Sequence, residues 1–363
     1  MKANFVVEQL RRSILDGSWV VGARIPTEPA LAETYGVSIN TVRRAVGALA
    51  EEQVLERRQG SGTYVLRIPP SPEGSARLVG MLVPSTAYFY PRIIQGAERA
   101  LSARNVGLLL ASSEYSLSVE RDQISRLIAG GVEGLILVPN LHLLDDPQRF
   151  VDGLRDMPVP YVLAERKPPA PDPDDDTSYV ISDHEAGAYS ALRHLRELGH
   201  RRIGFLGRLR TGTADAVSSG FERAVAGLGL RRIDDAVVRR AEWGTDEIDD
   251  YAASCRRHGV TAVFCHGDDD AARLVARVQR TGSTVPGDLA VVAYDDEATH
   301  LSDTPLTSVA PPKAAIGVQA ARTLLNRLDD PDFPAVRMSL LPRLIIRESC
   351  GGLATPAAVA VGH

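Results

Sequence analysis

Apolar residues recur at helical spacing through Phe5, Val6, Leu10 and Ile14, which predicts a first helix from about Asn4 to Leu15, stopped by Asp16 and Gly17. After Gly22 and Pro26 the pattern predicts two more helices. Leu31, Ala32, Val37, Val42, Val46 and Leu49 form their inward face, Gly36 supplies the bend, and Ser38 is placed to cap the third helix, which extends to about Glu52. That spacing is a helix-turn-helix. It leaves Ser38, Asn40, Thr41, Arg43 and Arg44 outward at the start of the third helix, as donors for a DNA groove. From Val54 to Val65 two short runs flank Gly60, Ser61 and Gly62, predicting a wing whose glycine tip lets backbone N–H groups approach phosphate or a minor groove.

The pattern then changes. Pro69, Pro70, Ser71, Pro72, Glu73, Gly74 and Ser75 resist helix and sheet, so residues 68–76 read as a linker after a first domain of 1–67. Beyond it, short β-branched runs alternate with amphipathic stretches, as in a parallel α/β sheet. Strands are expected at Leu78–Val83, Gly107–Ala111, Gly134–Val138, Pro160–Leu163, Ser178–Ile181, Arg202–Leu206, Thr261–Cys265 and Leu289–Ala293. Helices are expected near Ile93–Arg104, Glu120–Ala129, Glu185–Leu198, Asp215–Leu228, Glu247–His258, Asp268–Thr281 and Lys313–Leu328. Ligands of such sheets sit beyond the carboxyl ends of the strands. The residues there are Ser85, Tyr88, Phe89, Tyr90, Glu165, Arg166, Asp183, Arg208, Asp268 and Asp295. Carboxylates and guanidinium groups suit paired hydrogen bonds to a hydroxyl-rich ligand, and aromatic faces suit its ring. Asp183 and Asp268 equally suit the capping of the helices that follow them.

Composition narrows the class. With 44% apolar and 24% charged residues the 363-residue chain reads as globular, and no apolar run reaches membrane-span length, so a cytoplasmic location is expected. Cys255, Cys265 and Cys350 are odd in number and widely spaced, which suggests neither disulfide nor zinc site, and no cofactor or metal is expected. The net charge of −5 conceals an asymmetry: residues 1–70 carry net +2 and the remainder net −7. So small a basic excess must act locally, and the pairs Arg43/Arg44 and Arg57/Arg58 are the places for it unless they are solvated surface charges. The motifs G-x-x-x-x-G-K-S/T, G-x-S-x-G and H-E-x-x-H are absent, which argues against an enzyme.

Residues 4–66 resemble the winged helix-turn-helix of the GntR family of bacterial transcription regulators. The resemblance is carried by Ile14 to Gly17 (ILDG), Gly22 to Glu28 (GARIPTE), Leu31-Ala32, Gly36 to Ser38 (GVS), Thr41 to Ala45 (TVRRA), Leu49 and Arg57 to Thr63 (RRQGSGT). It implies a DNA-binding surface built from Thr27, Glu28, Ser38, Asn40, Thr41, Arg43, Arg44, Arg57, Arg58, Gln59, Gly60, Ser61 and Gly62. Two DNA-contacting arginines usual in that family are replaced by Pro29 and Ile39, and Ile39 instead suits a thymine methyl.

Residues 77–348 resemble the effector-binding domain of the lactose/galactose-repressor (LacI/GalR) family, itself similar to periplasmic sugar-binding proteins. The carrying segments are Val79 to Pro84 (VGMLVP), Gly131 to Pro139 (GVEGLILVP), His194 to Gly207 (HLRELGHRRIGFLG), Gly220-Phe221, Val285 to Asp296 (VPGDLAVVAYDD) and Pro305 to Thr307 (PLT). The resemblance implies a two-lobed α/β fold joined by three crossovers, lobe 1 at about 77–164 and 312–338, lobe 2 at about 179–309 and 340–348, and a tail at 349–363. Glu165 and Asp295 stand at acidic sugar-contacting positions, whereas Val217, Gly267 and Pro311 replace an arginine, an asparagine and a polar residue of the family pattern. Together the two resemblances imply a homodimer on a pseudo-palindromic operator, with half-sites about 34–36 Å apart or multiples of that. A repressor released by a small polar effector such as a sugar is the expected function. The alternative is an activator or dual regulator answering a non-sugar metabolite.

Overall fold

The computed structural model describes residues 2–15, 18–58, 61–67, 77–170, 175–299 and 302–352. The chain divides into two compact units, Met1–Arg77 and Leu78–His363. The predicted linker at 68–76, the wing residues Gln59 and Gly60, and the end of the predicted tail from residue 353 lie outside the described residues.

In the first unit, α1 (Lys2–Leu15), α2 (Glu28–Tyr35) and α3 (Ile39–Glu51) enclose Val6, Leu10, Ile14, Leu31, Val42, Val46 and Leu49. Phe5, expected on the packing face of α1, is 51% exposed, because the buried row runs through Val6, Leu10 and Ile14 at the i, i+4, i+8 positions of one face. Gly36 takes the left-handed conformation at φ 61°, which lets α2 turn into α3 without the steric cost that a Cβ would bring. The wing pairs β1 (Leu55–Arg58) with β2 (Gly62–Val65) in antiparallel register, Leu55 opposite Val65. An extended segment before α2 joins its other edge, with Ile25 N donating to Thr63 O at 3.0 Å and Val65 N to Ala23 O at 2.9 Å.

The second unit holds two six-stranded sheets. The first is all parallel in the order β13-β7-β6-β5-β3-β4, from β3 (Leu78–Val83), β4 (Gly107–Ser112), β5 (Gly134–Leu137), β6 (Tyr161–Ala164), β7 (Ser178–Ser182) and β13 (Arg337–Leu340). The second runs β14-β12-β11-β10-β8-β9, from β8 (Ile203–Arg208), β9 (Val237–Arg240), β10 (Ala262–Cys265), β11 (Ala290–Tyr294), β12 (Thr307–Ala310) and the antiparallel β14 (Arg343–Ile345). Around the first sheet lie α4 (Pro91–Ser102), α5 (Leu117–Ala129), α6 (Pro147–Leu154) and α11 (Lys313–Asp329); around the second lie α7 (His184–Glu197), α8 (Ala214–Gly227), α9 (Thr245–Arg257) and α10 (Asp268–Arg280).

The chain passes between sheets at 182–184, 310–313 and 340–343. This corrects the expected start of lobe 2 at 179. β7 inserts between β6 and β13, with Val162 opposite Ser178 and Arg337 opposite Tyr179, so lobe 1 keeps the chain to Ser182. The tail is corrected too. Ser349 and Cys350 are buried, and Ser349 Oγ accepts from Thr307 N at 2.9 Å and donates to Val291 O at 2.6 Å, which ties that turn to lobe 2. All three cysteines are buried and free.

Candidate functional site

Two sites emerge, one in each unit. On the first unit, Ser38 and Thr27 spend their hydroxyls as caps: Ser38 Oγ accepts from Thr41 N at 3.2 Å and meets Thr41 Oγ1 at 2.8 Å, and Thr27 Oγ1 accepts from Ala30 N. Capping fixes where α3 begins, and so aims the outward Asn40, Arg43 and Arg44. Glu28 is the organiser of this surface. Its two carboxylate oxygens accept from Arg43 Nε at 3.0 Å and from an Arg57 Nη2 at 3.3 Å, and Arg57 also reaches Arg43 O at 3.2 Å. Recognition helix and wing are thereby tied together. Arg43 and Arg57, which the sequence places in two separate basic pairs, share one carboxylate. Arg58 pairs with Glu56 at 2.8 Å and lies 4.5 Å over the Tyr64 ring, while Arg44 is exposed without an ion-pair partner among the described residues. Ser61 meets Tyr64 OH at 2.8 Å near the wing tip. Ile39 is 43% exposed at the first turn of α3, and Pro29 lies in the first turn of α2. Sequence reasoning passed over Arg24, whose guanidinium covers Gly62 so closely that a Cβ there would stand 2.6 Å from Nε.

In the second unit a cavity of about 470 Å³ opens between the lobes. Of the expected contacts, Tyr88, Phe89, Tyr90, Arg166, Arg208 and Asp295 line it. Tyr88 OH reaches Asp295 Oδ2 across the lobes at 3.3 Å. The other four do not line it, each for a physical reason. Ser85 Oγ accepts from Ala87 N at 3.1 Å within its own turn. Asp183 caps α7 by accepting from Ala186 N at 2.8 Å. Asp268 is buried under Glu297 N at 2.6 Å, Ala298 N at 3.2 Å and Ser308 Oγ at 3.2 Å. Glu165, fully buried, accepts from Ser182 N at 3.1 Å and Ser182 Oγ at 2.6 Å and meets His184 Nε2 at 3.2 Å. His184 Nδ1 continues to Tyr294 OH at 2.7 Å, so Glu165 braces the first crossover rather than facing a ligand.

The structure adds Tyr115 and His142 from lobe 1, and from lobe 2 Arg210, Thr213, His266 and Asp269. Arg210 and Thr213 belong to the loop after β8, which the amphipathic pattern of the sequence does not mark. Backbone strain gathers here: Tyr88, Tyr115, Arg210 and Asp295 all take positive φ, between 55° and 100°, at a cost of about 1–3 kcal/mol each that the surrounding packing must sustain.

Charge is distributed unevenly. Asp270, fully buried, holds Arg208 at 2.6 and 3.0 Å and also Arg273. Burial pushes Asp268 up to about 6, with Asp295 adding to the rise, and burial likewise raises Asp295 against the pull of Lys313. Burial pushes Glu165 up, but its His184 and Ser182 hydrogen bonds outweigh that and leave it below the usual carboxylate range. Burial lowers His266 to about 3, assisted by His184, Arg208 and Arg239, and lowers His142 to about 4, assisted by Arg166. Both rings are therefore neutral near pH 7. His266 Nε2 meets Thr213 Oγ1 at 2.9 Å, while its Nδ1 and that of His142 have no hydrogen-bond partner among the described residues.

Comparison with known proteins agrees with this two-part design. A model of bacterial regulatory proteins of the gntR family matches residues 2–65, and a model of the periplasmic binding protein-like domain matches residues 192–350. The chain is 29% identical to an arabinose metabolism transcriptional repressor of Geobacillus stearothermophilus, over 94% of this chain and 96% of that protein. It is 30% identical to the HTH-type transcriptional regulator MalR of Streptomyces coelicolor, over 88% of this chain and 95% of that one. Among solved structures, the transcriptional regulator CelR in complex with cellobiose superposes with a TM-score of 0.64 at 26% identity, covering 90% of this chain and 100% of that one. No helix among the described residues is long and apolar enough to cross a membrane. The chain belongs to the bacterial transcriptional regulators that couple a GntR-type winged helix-turn-helix to a LacI-type, periplasmic-binding-protein-like sensor domain.

Proposed function

We propose that the chain is a cytoplasmic homodimeric repressor whose hold on operator DNA is released when a small hydroxyl-rich effector occupies the interlobe cleft. The observation that carries this reading is the cavity itself: both lobes line it, and Tyr88 and Asp295 meet across it. A ligand that contacts both walls binds one lobe arrangement better than another, and that differential affinity is all an effector needs to shift an equilibrium. In a dimer the shift changes the separation of two reading heads, and a fixed operator spacing converts it into lost affinity. Support comes from relatives whose names state repression of arabinose metabolism and a bound cellobiose.

On the DNA side, Asn40, Thr41, Arg43 and Arg44 read base edges, Ile39 meets a thymine methyl, and Arg57, Arg58 and Arg24 hold phosphates. Thr27, Ser38 and Glu28 position these groups. The test is selection of fragments from random DNA, followed by fluorescence anisotropy of the selected operator under a panel of neutral and acidic sugars. A sugar that weakens operator binding supports the reading; strengthened binding would instead make the effector a corepressor or coactivator.

A further inference from the structure

We infer that the effector is a polyhydroxylated acid whose carboxylate or phosphate group sits on Arg166. The inference rests on the cleft being the effector site and adds the chemical class of its ligand.

Arg166 lines the cavity yet is only 7% exposed. Its guanidinium carries five N–H donors and a permanent charge. Nε donates to Pro139 O at 3.0 Å, Nη1 to Glu165 O at 2.7 Å, and Nη2 reaches Tyr90 OH only at 3.5 Å. These acceptors are all neutral, two donors are left over, and Arg166 has no ion-pair partner among the described residues. A buried charge in that state is costly until an opposite charge meets it. Arg208 in the same cavity shows the contrast, since Asp270 grips it twice.

Among the described residues no neighbour of Arg166 forms an ion pair with it. Tyr90, Tyr115 and His142 surround it on lobe 1, and the burial that lowers His142 keeps its ring neutral. Glu120, buried as well, feels the Arg166 charge without pairing with it: burial pushes its carboxyl up, Oε2 accepts from Asn140 N at 2.9 Å and Nδ2 at 2.7 Å, and Oε1 has no hydrogen-bond partner among the described residues. The acids lining the cavity do not pair with Arg166 among the described residues: Asp270 is held by Arg208 and Arg273, Asp295 accepts from Tyr88 through one oxygen, and Asp269 makes no bond to it. From lobe 2, Gly212 lies directly over the guanidinium, where a Cβ would stand 2.3 Å from Nη2, and the same loop carries the exposed Arg210. An anion on Arg166 therefore also draws in the loop of the opposite lobe. Asp269, Asp295, Tyr88 and the rim of Arg208 are left to receive hydroxyls. A carboxylate can accept from the donors left on Nη1 and Nη2, and a phosphate ester offers the same oxygens.

The test is calorimetry on the full chain with neutral parents and their acids: arabinose, glucose and galactose against arabinonate, gluconate, glucuronate, galacturonate, arabinose 5-phosphate and glucose 6-phosphate. An acidic member should bind at least about tenfold more tightly than its neutral parent, as a charge-assisted pair at a buried site requires. Arg166→Gln should remove that preference and Arg166→Lys should keep part of it, with retained operator binding as the folding control. Whether uronates and aldonates or phosphates win separates the two anion sources. A neutral parent that binds as tightly as its acids overturns the inference and leaves the cleft reading standing, and this wild-type comparison decides even where Arg166→Gln fails to fold. A preference for acid that survives in Arg166→Gln also overturns it. Silence of every probe overturns it together with the cleft reading.

Discussion

Glu28 shows how much one side chain settles on the DNA-reading face. By accepting from both Arg43 and Arg57 it makes recognition helix and wing a single surface, although each exposed ion pair is worth little in stability. Arg43→Ala should weaken binding to the selected operator by about tenfold or more, the loss of about 1–3 kcal/mol typical of a base contact, with effector affinity unchanged in calorimetry. Arg57→Ala should act on all sequences alike and lower the salt slope of binding by about one unit. In the cleft, the titration of His266 sets a pH dependence. Its folded-state value of about 3 lies below the ordinary histidine value, so its contribution to stability is present above pH 6.5 and is lost as pH falls toward 3. Asp268, raised to about 6, works oppositely, gaining stability as pH falls through 6 toward its ordinary value. His142, lowered to about 4, joins His266 in lowering the melting temperature of the sensor unit on acidification below pH 6.5, against the opposite pull of the raised Asp268, Asp295 and Glu120. His266→Gln should flatten that loss in melts between pH 4 and pH 6.5; an unchanged slope would show that the ring is not the group responsible. These residues also mark where the sequence stopped being legible. A carboxylate after a strand is equally a ligand and a helix cap, and only the fold shows Asp183 capping α7, Asp268 under backbone amides and Glu165 on His184.

At the level of elements, most interior strands were readable because a strand buried on both faces is a continuous apolar run, as in β3, β5, β8 and β10, whereas interior β12 escaped because Thr307 and Ser308 interrupt that run. Strands β9, β13 and β14 escaped because they are edge strands of three or four residues with partly exposed faces, and α6 because eight residues hold too few turns for a periodic signal. The first crossover was misplaced for a different reason: β7 reads as a strand in either lobe, and only its pairing with β6 and β13 assigns it. The close approach of α4 to α11 was equally hidden. A Cβ at Gly317 would stand 1.9 Å from Ile93 O, and one at Gly96 would stand 2.1 Å from Ala314 O. Helix propensity favours alanine over glycine by about 1 kcal/mol, but backbone oxygen cannot yield as a flexible side chain can. Gly317→Ala should therefore destabilise the sensor unit by about 1–3 kcal/mol or more. Calorimetric unfolding checks this, with the transition of the N-terminal unit expected at its wild-type temperature.

On the scale of the whole molecule, a reader and a sensor in one chain amount to a coupling free energy between two ligands. Linkage makes that coupling reciprocal: if the effector lowers operator affinity by some factor, operator must lower effector affinity by the same factor. In the proposed mechanism lobe movement carries this coupling. The three crossings at 182–184, 310–313 and 340–343 are where the lobes can turn, and the first is braced by the Glu165–His184–Tyr294 chain while Lys313, at the second, bonds Asp295 O and Glu297. The most direct measurement is the dissociation constant of the selected operator with and without saturating effector, paired with that of the effector with and without operator. The repressor reading predicts that both constants rise, by one common factor. An effector that occupies the cleft and leaves operator affinity unchanged would contradict it.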